Sequence, residues 1–206
     1  MNHEFWYLSR AAGFTAYLAL FASMALGMMI TTRAAARSGR QQLVFDMHRF
    51  TAILALALSL FHVYVLLGDQ YLSFSVWQLS VPFASPYRTL ASTLGVISLY
   101  SMVIVVASFY VRKYIGQRAW RVIHFITFAM YAGVTLHGIT AGTDTVQTWA
   151  KLIYVSTGVA VLALLAYRIQ HRIPKPSIPT TRSAHGAGGG NAGITGGAVR
   201  TVGHPR

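Results

Sequence analysis

Cysteine is absent from this 206-residue chain. That excludes disulfides, thiolate zinc sites, iron–sulfur clusters and cysteine nucleophiles, so any bound metal has to be held by His or carboxylate. Carboxylates are scarce too, and four Asp and Glu in total nearly close the route to paired-carboxylate catalysis. Charged residues make up 10% of the chain, against about 25% in a soluble domain. Hydrophobic residues fill the space at 54%, with a mean hydropathy of +0.50, the composition of a chain that lives mostly in lipid. A net charge of +13 would point to nucleic acid if the basic residues lined one face of a soluble domain. Here they sit between apolar segments, so no nucleic-acid partner is expected and their placement reports membrane orientation.

A bilayer core about 30 Å thick takes roughly 20 apolar residues of helix. Stretches free of Asp, Glu, Lys and Arg mark five spans, over Ala11–Ile30, Phe50–Leu67, Thr89–Val111, Val122–Gly142 and Leu152–Tyr167. Trp149 and Lys151 can lengthen the last by anchoring and snorkelling at the interface. The first run does not read as a cleaved signal, because its positive charges, Arg33, Arg37 and Arg40, follow the apolar stretch instead of preceding it. Counting Lys and Arg on alternate sides gives fourteen against three, the minority being Arg10, Arg88 and Lys151. The positive-inside rule then places the N-terminus outside and the C-terminus inside. The expected fold is an all-α integral membrane protein of five transmembrane helices, a multi-pass protein of the cell membrane.

From Arg172 onward the composition shifts to Pro, Gly, Ser and Thr, with the run Gly186-Ala187-Gly188-Gly189-Gly190. Such a segment has too little apolar surface to offset the entropy of ordering. The division expected is therefore a membrane domain over 1–171 and a disordered cytoplasmic tail over 172–206. The loop Gly68–Arg88, with Pro82 and Pro86, is long enough to cap the outer face. No internal repeat stands out beyond the His-bearing helices.

Of eight His, four fall in or beside apolar spans: His48 and His62 with the second, His124 and His137 in the fourth. Ionisable residues inside a membrane are costly and point to function. A lone one would serve as readily as a hydrogen-bonded core residue, but the spacing adds information. His48 and His62 are 14 residues apart and His124 and His137 are 13 apart, so each pair is separated by roughly 20 Å along its helix. Both helices run from inside to outside, and the four imidazoles therefore form two levels: His48 with His124 near the cytoplasm, His62 with His137 near the outer face. Two neutral imidazoles on opposing helices can offer a nitrogen to each face of one porphyrin iron, the bis-His site of a b-type haem. Two haems are expected, held in a helical bundle. The second and fourth helices should then stand wider apart than the about 8–10 Å of direct packing. Ala52, Ala55 and Ala57 on one and Ala129, Ala132, Gly133 and Gly138 on the other are the small residues available to the gap. Fourteen residues return to within about 40° of the starting face, whereas 13 land about 140° away. A bend or π-bulge near Gly133, or haem planes of different rotation, is expected to resolve this.

These residues resemble the ferric-reductase-like transmembrane domain, the haem-carrying part of ferric reductases and NADPH oxidases. The carrying stretches are His48-Arg49-Phe50 through Phe61-His62, Tyr87-Arg88-Thr89, Gly116-Gln117-Arg118-Ala119-Trp120-Arg121-Val122-Ile123-His124 and His137-Gly138-Ile139-Thr140-Ala141-Gly142-Thr143-Asp144. The likeness covers residues 10–168. It implies that His48 and His124 bind an inner haem and His62 and His137 an outer one. It also implies that electrons pass from a cytoplasmic reduced flavin to an acceptor on the far side. The chain departs from the family in having five spans instead of the usual six and in lacking a flavin and nicotinamide domain. The donor is then a separate protein, such as a cytoplasmic flavin reductase.

Haem propionates are anionic, and a cation beside each site would stabilise them. Arg49 and Arg121 are placed for this inside, and Arg88 with Arg10 outside. The basic inner residues Arg112, Lys113, Arg118 and Arg121 would attract an acidic flavoprotein, although topology alone accounts for them. Tyr64, Tyr131 and Trp120 lie at haem level and read first as packing or belt residues. Two other functions compete: a quinol-oxidising dihaem membrane anchor of a respiratory oxidoreductase, and a haem-free transporter that uses its intramembrane His as a relay.

Overall fold

The computed structural model describes residues 4–30, 39–69 and 73–171, all within one compact unit, Met1–Ile173. Among them there is no strand. The helices are α1 (Glu4–Ile30), α2 (Gln41–Leu67), α3 (Val76–Ser80), α4 (Thr89–Tyr110), α5 (Arg112–Ala141) and α6 (Thr148–Gln170), with a 3-10 turn over Thr143–Val146. All but α3 are long and apolar enough to cross a membrane. Each expected span is thus present; all but the third, which ends one residue early at Tyr110, begin several residues before the expected start. Arg33, Arg37 and the expected tail over 172–206 lie outside the described residues.

Two hairpins form the bundle. α1 packs closely along α2, and α4 along α5, while contact between the hairpins is sparse and α6 leans on α1. A single residue, Val111, joins α4 to α5. The chain then turns again at Gly116 (φ 80°, ψ 160°), a backbone conformation that only glycine adopts without strain. The long part of α5 follows from there. The loop after α2 is tied down at several points: Ser75 and Gln78 form a capping box on α3, the Tyr100 hydroxyl donates to Ser80 O at 2.6 Å, and Phe83 N donates to Thr93 Oγ1 at 2.8 Å.

The core lies on α1. Tyr17, Leu20, Met24 and Met28 pack with Ala55, Met102, Tyr131 and Tyr154. At its centre Tyr17 OH bonds both Thr157 Oγ1 (2.6 Å) and Tyr131 OH (3.1 Å), which satisfies polar groups that would otherwise be costly in an apolar interior. The His-bearing helices are much less covered: α2 buries only Ala55 and Val65, and α5 only Met130, Tyr131 and Gly133. Large apolar side chains face outward, Tyr64 and Val122 at 70% and Leu162 at 67% exposure, as expected of a surface solvated by acyl chains.

One ion pair closes the end of the bundle where α1 begins. Arg10 Nε donates to Asp144 Oδ2 at 2.6 Å, and Nη2 meets Oδ1 of the same carboxylate. The guanidinium also lies 4.1 Å from the Trp6 ring centroid. Asp144 is the more buried partner, at 8% side-chain exposure against 29% for Arg10. Arg10→Ala is therefore expected to cost about 2 kcal/mol, between the worth of exposed and fully buried pairs. The loss should appear as a lower thermal midpoint in detergent. The Arg10→Ala/Asp144→Ala double variant should recover part of it, since no unpaired buried carboxylate remains.

Candidate functional site

The four membrane histidines do assemble into two levels. At one, the His48 and His124 ring centroids are 6.1 Å apart with planes at 80°. At the other, His62 and His137 both line a cavity of about 240 Å³ between the hairpins, bounded also by Gly13, Tyr17, Gly95 and Val134. Trp6, Arg10 and Asp144 also line it.

Three of the four rings are held in the same way. His62 Nδ1 donates to the Ser9 carbonyl at 2.8 Å, His48 Nδ1 to the Ser23 carbonyl at 2.8 Å, and His137 Nδ1 to the Ala91 carbonyl at 2.8 Å. A carbonyl oxygen can only accept, so the proton sits on Nδ1 and Nε2 keeps its lone pair. The hydroxyl oxygens of Ser9 and Ser23 lie 3.3 and 3.1 Å from the same Nδ1 atoms. Four residues beyond each carbonyl stands a glycine whose missing side chain makes room for the ring. A Cβ on Gly13 would come within 3.2 Å of His62, on Gly27 within 3.0 Å of His48, and on Gly95 within 2.7 Å of His137.

The motif is thus a backbone carbonyl, then a glycine four residues on, presented by the helix packed against each His-bearing helix. On α1 it occurs twice, as Ser9/Gly13 and Ser23/Gly27, with the 14-residue step that separates His48 from His62. Equal steps on two antiparallel helices keep both contacts in register. These glycines were missed in the sequence, where the small residues of α2 and α5 were expected to make room. Ala57, Ala129 and Ala132 instead face outward, Ala55 is fully buried in the core, and Ala52 is half-buried. Gly133 packs against Ser98 Oγ on α4, and Gly138 against the Tyr154 hydroxyl. The repeat on α1, Ser-x-x-x-Gly recurring after 14 residues, was the signal available.

His124 differs. Among the described residues its ring has no hydrogen-bond partner; it stacks on Trp120, one turn earlier, with centroids 5.1 Å apart and planes at 23°. Trp120 is therefore part of the site and not a belt residue. The 13-residue step is not absorbed by a bend or π-bulge near Gly133: α5 is regular there, and its only non-helical residue is Gly116. The two histidines of α5 leave it on different faces, and only His137 finds a carbonyl on α4.

The arginines are placed as follows. Arg49 and Arg112 each lie over the Phe109 ring, at 5.2 and 5.3 Å, near the His48/His124 end. Arg121 is exposed and its Nε donates to Gln117 O at 3.3 Å. Arg88 is exposed, donates to Thr140 O at 2.5 Å and does not line the cavity, whereas Arg10 does. Tyr64 points away from the bundle and Tyr131 belongs to the central hydroxyl cluster.

The donor set discriminates between metals. Among the described residues no three His, Asp or Glu gather as a metal-binding group, so a bare zinc or non-haem iron, which takes three or four protein ligands, is not served. Two imidazoles per level suit a metal that brings four equatorial donors of its own. The His48 and His124 rings, with centroids 6.1 Å apart, are close enough that both could hold one such metal. No protein-family model, curated protein or solved structure matches this chain.

Proposed function

We propose that this chain is a dihaem b-type cytochrome of the ferric-reductase-like kind, an electron-transfer subunit of the cell membrane. The observation that carries the reading is the paired imidazoles at two levels, three with Nδ1–H tied to a backbone carbonyl and Nε2 left as a donor, between hairpins with few close backbone approaches. His48 and His124 would hold an inner haem, and His62 and His137 an outer one. When bound, b-type haem supplies reversible one-electron chemistry without proton transfer at the metal.

The protein's own groups supply the rest. The carbonyls of Ser9, Ser23 and Ala91 orient the rings and raise the basicity of Nε2. Gly13, Gly27 and Gly95 let the rings lie back against the neighbouring helix. The apolar outer faces of α2, α4 and α5 insulate the path. Arg49 and Arg112 inside, and Arg10 outside, lie near the two levels and would suit anionic propionates, with Arg88 and Arg121 as further candidates. Basic residues at the His48/His124 end fit a cytoplasmic side and an acidic flavoprotein donor. Flow toward an acceptor outside is downhill by about 2.3 kcal/mol per electron per 100 mV of inside-negative potential.

The deciding experiment is a reduced-minus-oxidised visible spectrum of the purified protein with haem quantification. Two low-spin b haems per chain are expected. A colourless protein from haem-replete cells would leave the transporter reading in possession of the four histidines.

A further inference from the structure

The four proposed ligands are not equivalent. His48, His62 and His137 are each fixed by a carbonyl and a glycine from an adjacent helix. For His124 the corresponding place on α4 is occupied by other chemistry. One 14-residue step from Ala91 and Gly95 leads to Val105 and Phe109, and one 13-residue step to Ile104 and Ser108. No glycine stands at either. The Val105 carbonyl is already engaged, accepting the Ser108 hydroxyl at 2.7 Å, and Phe109 carries the cations of Arg49 and Arg112 on its ring.

Among the described residues His124 thus takes no hydrogen bond from a neighbouring helix; its ring stacks on Trp120 of its own helix and meets the His48 ring edge-on. Stacking restrains the ring plane but does not fix which nitrogen carries the proton. It also adds nothing to the basicity of Nε2. Loss of such an outer hydrogen bond typically lowers metal affinity by about 10–100-fold. Beside this ring Trp120 Nε1 is buried without an acceptor among the described residues, a polar donor left available at this level.

Resting on the dihaem reading, we infer that His124 is the exchangeable ligand. In the reduced protein His124 would give way to a small uncharged diatomic, while His62 and His137 would not. His48, whose ring is locked between Ser23 and Gly27, would keep hold of the haem. The incoming molecule takes the place of the imidazole, and no electron or proton is exchanged in the step.

Carbon monoxide is the probe. Dithionite-reduced full-length protein, with its haem content measured, is titrated with it and the Soret band followed. About half the haem absorbance is expected to shift. In His62→Ala and His137→Ala, which leave the inner level, all the remaining haem should respond. Trp120→Ala, which removes the stacking face under the His124 ring, should raise carbon monoxide affinity several-fold, whereas Trp120→Phe, which keeps such a face, should stay near wild type. Two haems inert to carbon monoxide, two that both respond, or loss of the response in His62→Ala would each overturn the inference and leave the dihaem reading standing. Protein without haem overturns that reading itself.

Discussion

Gly95→Val is expected to reduce the haem content from two per chain to one. A Cβ at this position would stand 2.7 Å from His137 Cε1 and 2.8 Å from its Nδ1, closer than carbon atoms in contact by about 1 Å. The ring cannot retreat without giving up its bond to Ala91 O at 2.8 Å, and that bond is what aims Nε2 into the cavity. A branched side chain worsens the clash because it adds volume at the Cβ itself. The same physics orders a series of alanine variants. Gly95→Ala should lose most haem, Gly27→Ala less (3.0 Å to His48) and Gly13→Ala least (3.2 Å to His62). Gly116→Ala is the control: nothing lies within 4 Å of its Cβ position, so its cost is confined to backbone strain at φ 80° and both haems should remain. Haem-to-protein ratios of the four variants, measured on the monodisperse fraction, check the order. Equal losses across the series would remove the glycines from the site.

His62→Ala is expected to remove the outer haem alone. Its ring is the only described His on α2 that lines the cavity, and with it gone His137 is left as a single ligand in an apolar space. The inner level stands about 20 Å away along the helix, beyond the core of Tyr17, Leu20 and Ala55. The ligands proposed there, His48 and His124, contact Ser23, Gly27 and Trp120, not the partners of His62, Ser9 and Gly13. Half the absorbance should therefore disappear with the remaining band unshifted. Complete loss of colour from this one change, in protein that still purifies as a monodisperse species, would contradict two independent sites.

The five spans, and the division of four histidines into two levels, were legible without coordinates because both follow from local rules. Apolar length counts residues against bilayer thickness, and rise per residue converts spacing into depth. His62 and His48 could be paired with His137 and His124 by that arithmetic alone. The supporting contacts were not legible in the same way. Gly13, Gly27 and Gly95 are ordinary small residues until α1 and α4 are docked on α2 and α5, and Trp120 is an ordinary interfacial aromatic until its ring is found against His124. Of the two ways to absorb the 13-residue step, the bend or π-bulge near Gly133 is not found: the backbone there is helical, and Gly133 lies close to Ser98.

By itself the sequence determined how many membrane-length helices form and how far apart the imidazoles lie along each, since each of these depends on one segment and the solvent around it. Only the tertiary structure decided which carbonyl receives each ring, which glycines yield space to it, and that His124 alone goes without either. Those depend on the register between two helices, a relation between distant residues that no single segment contains.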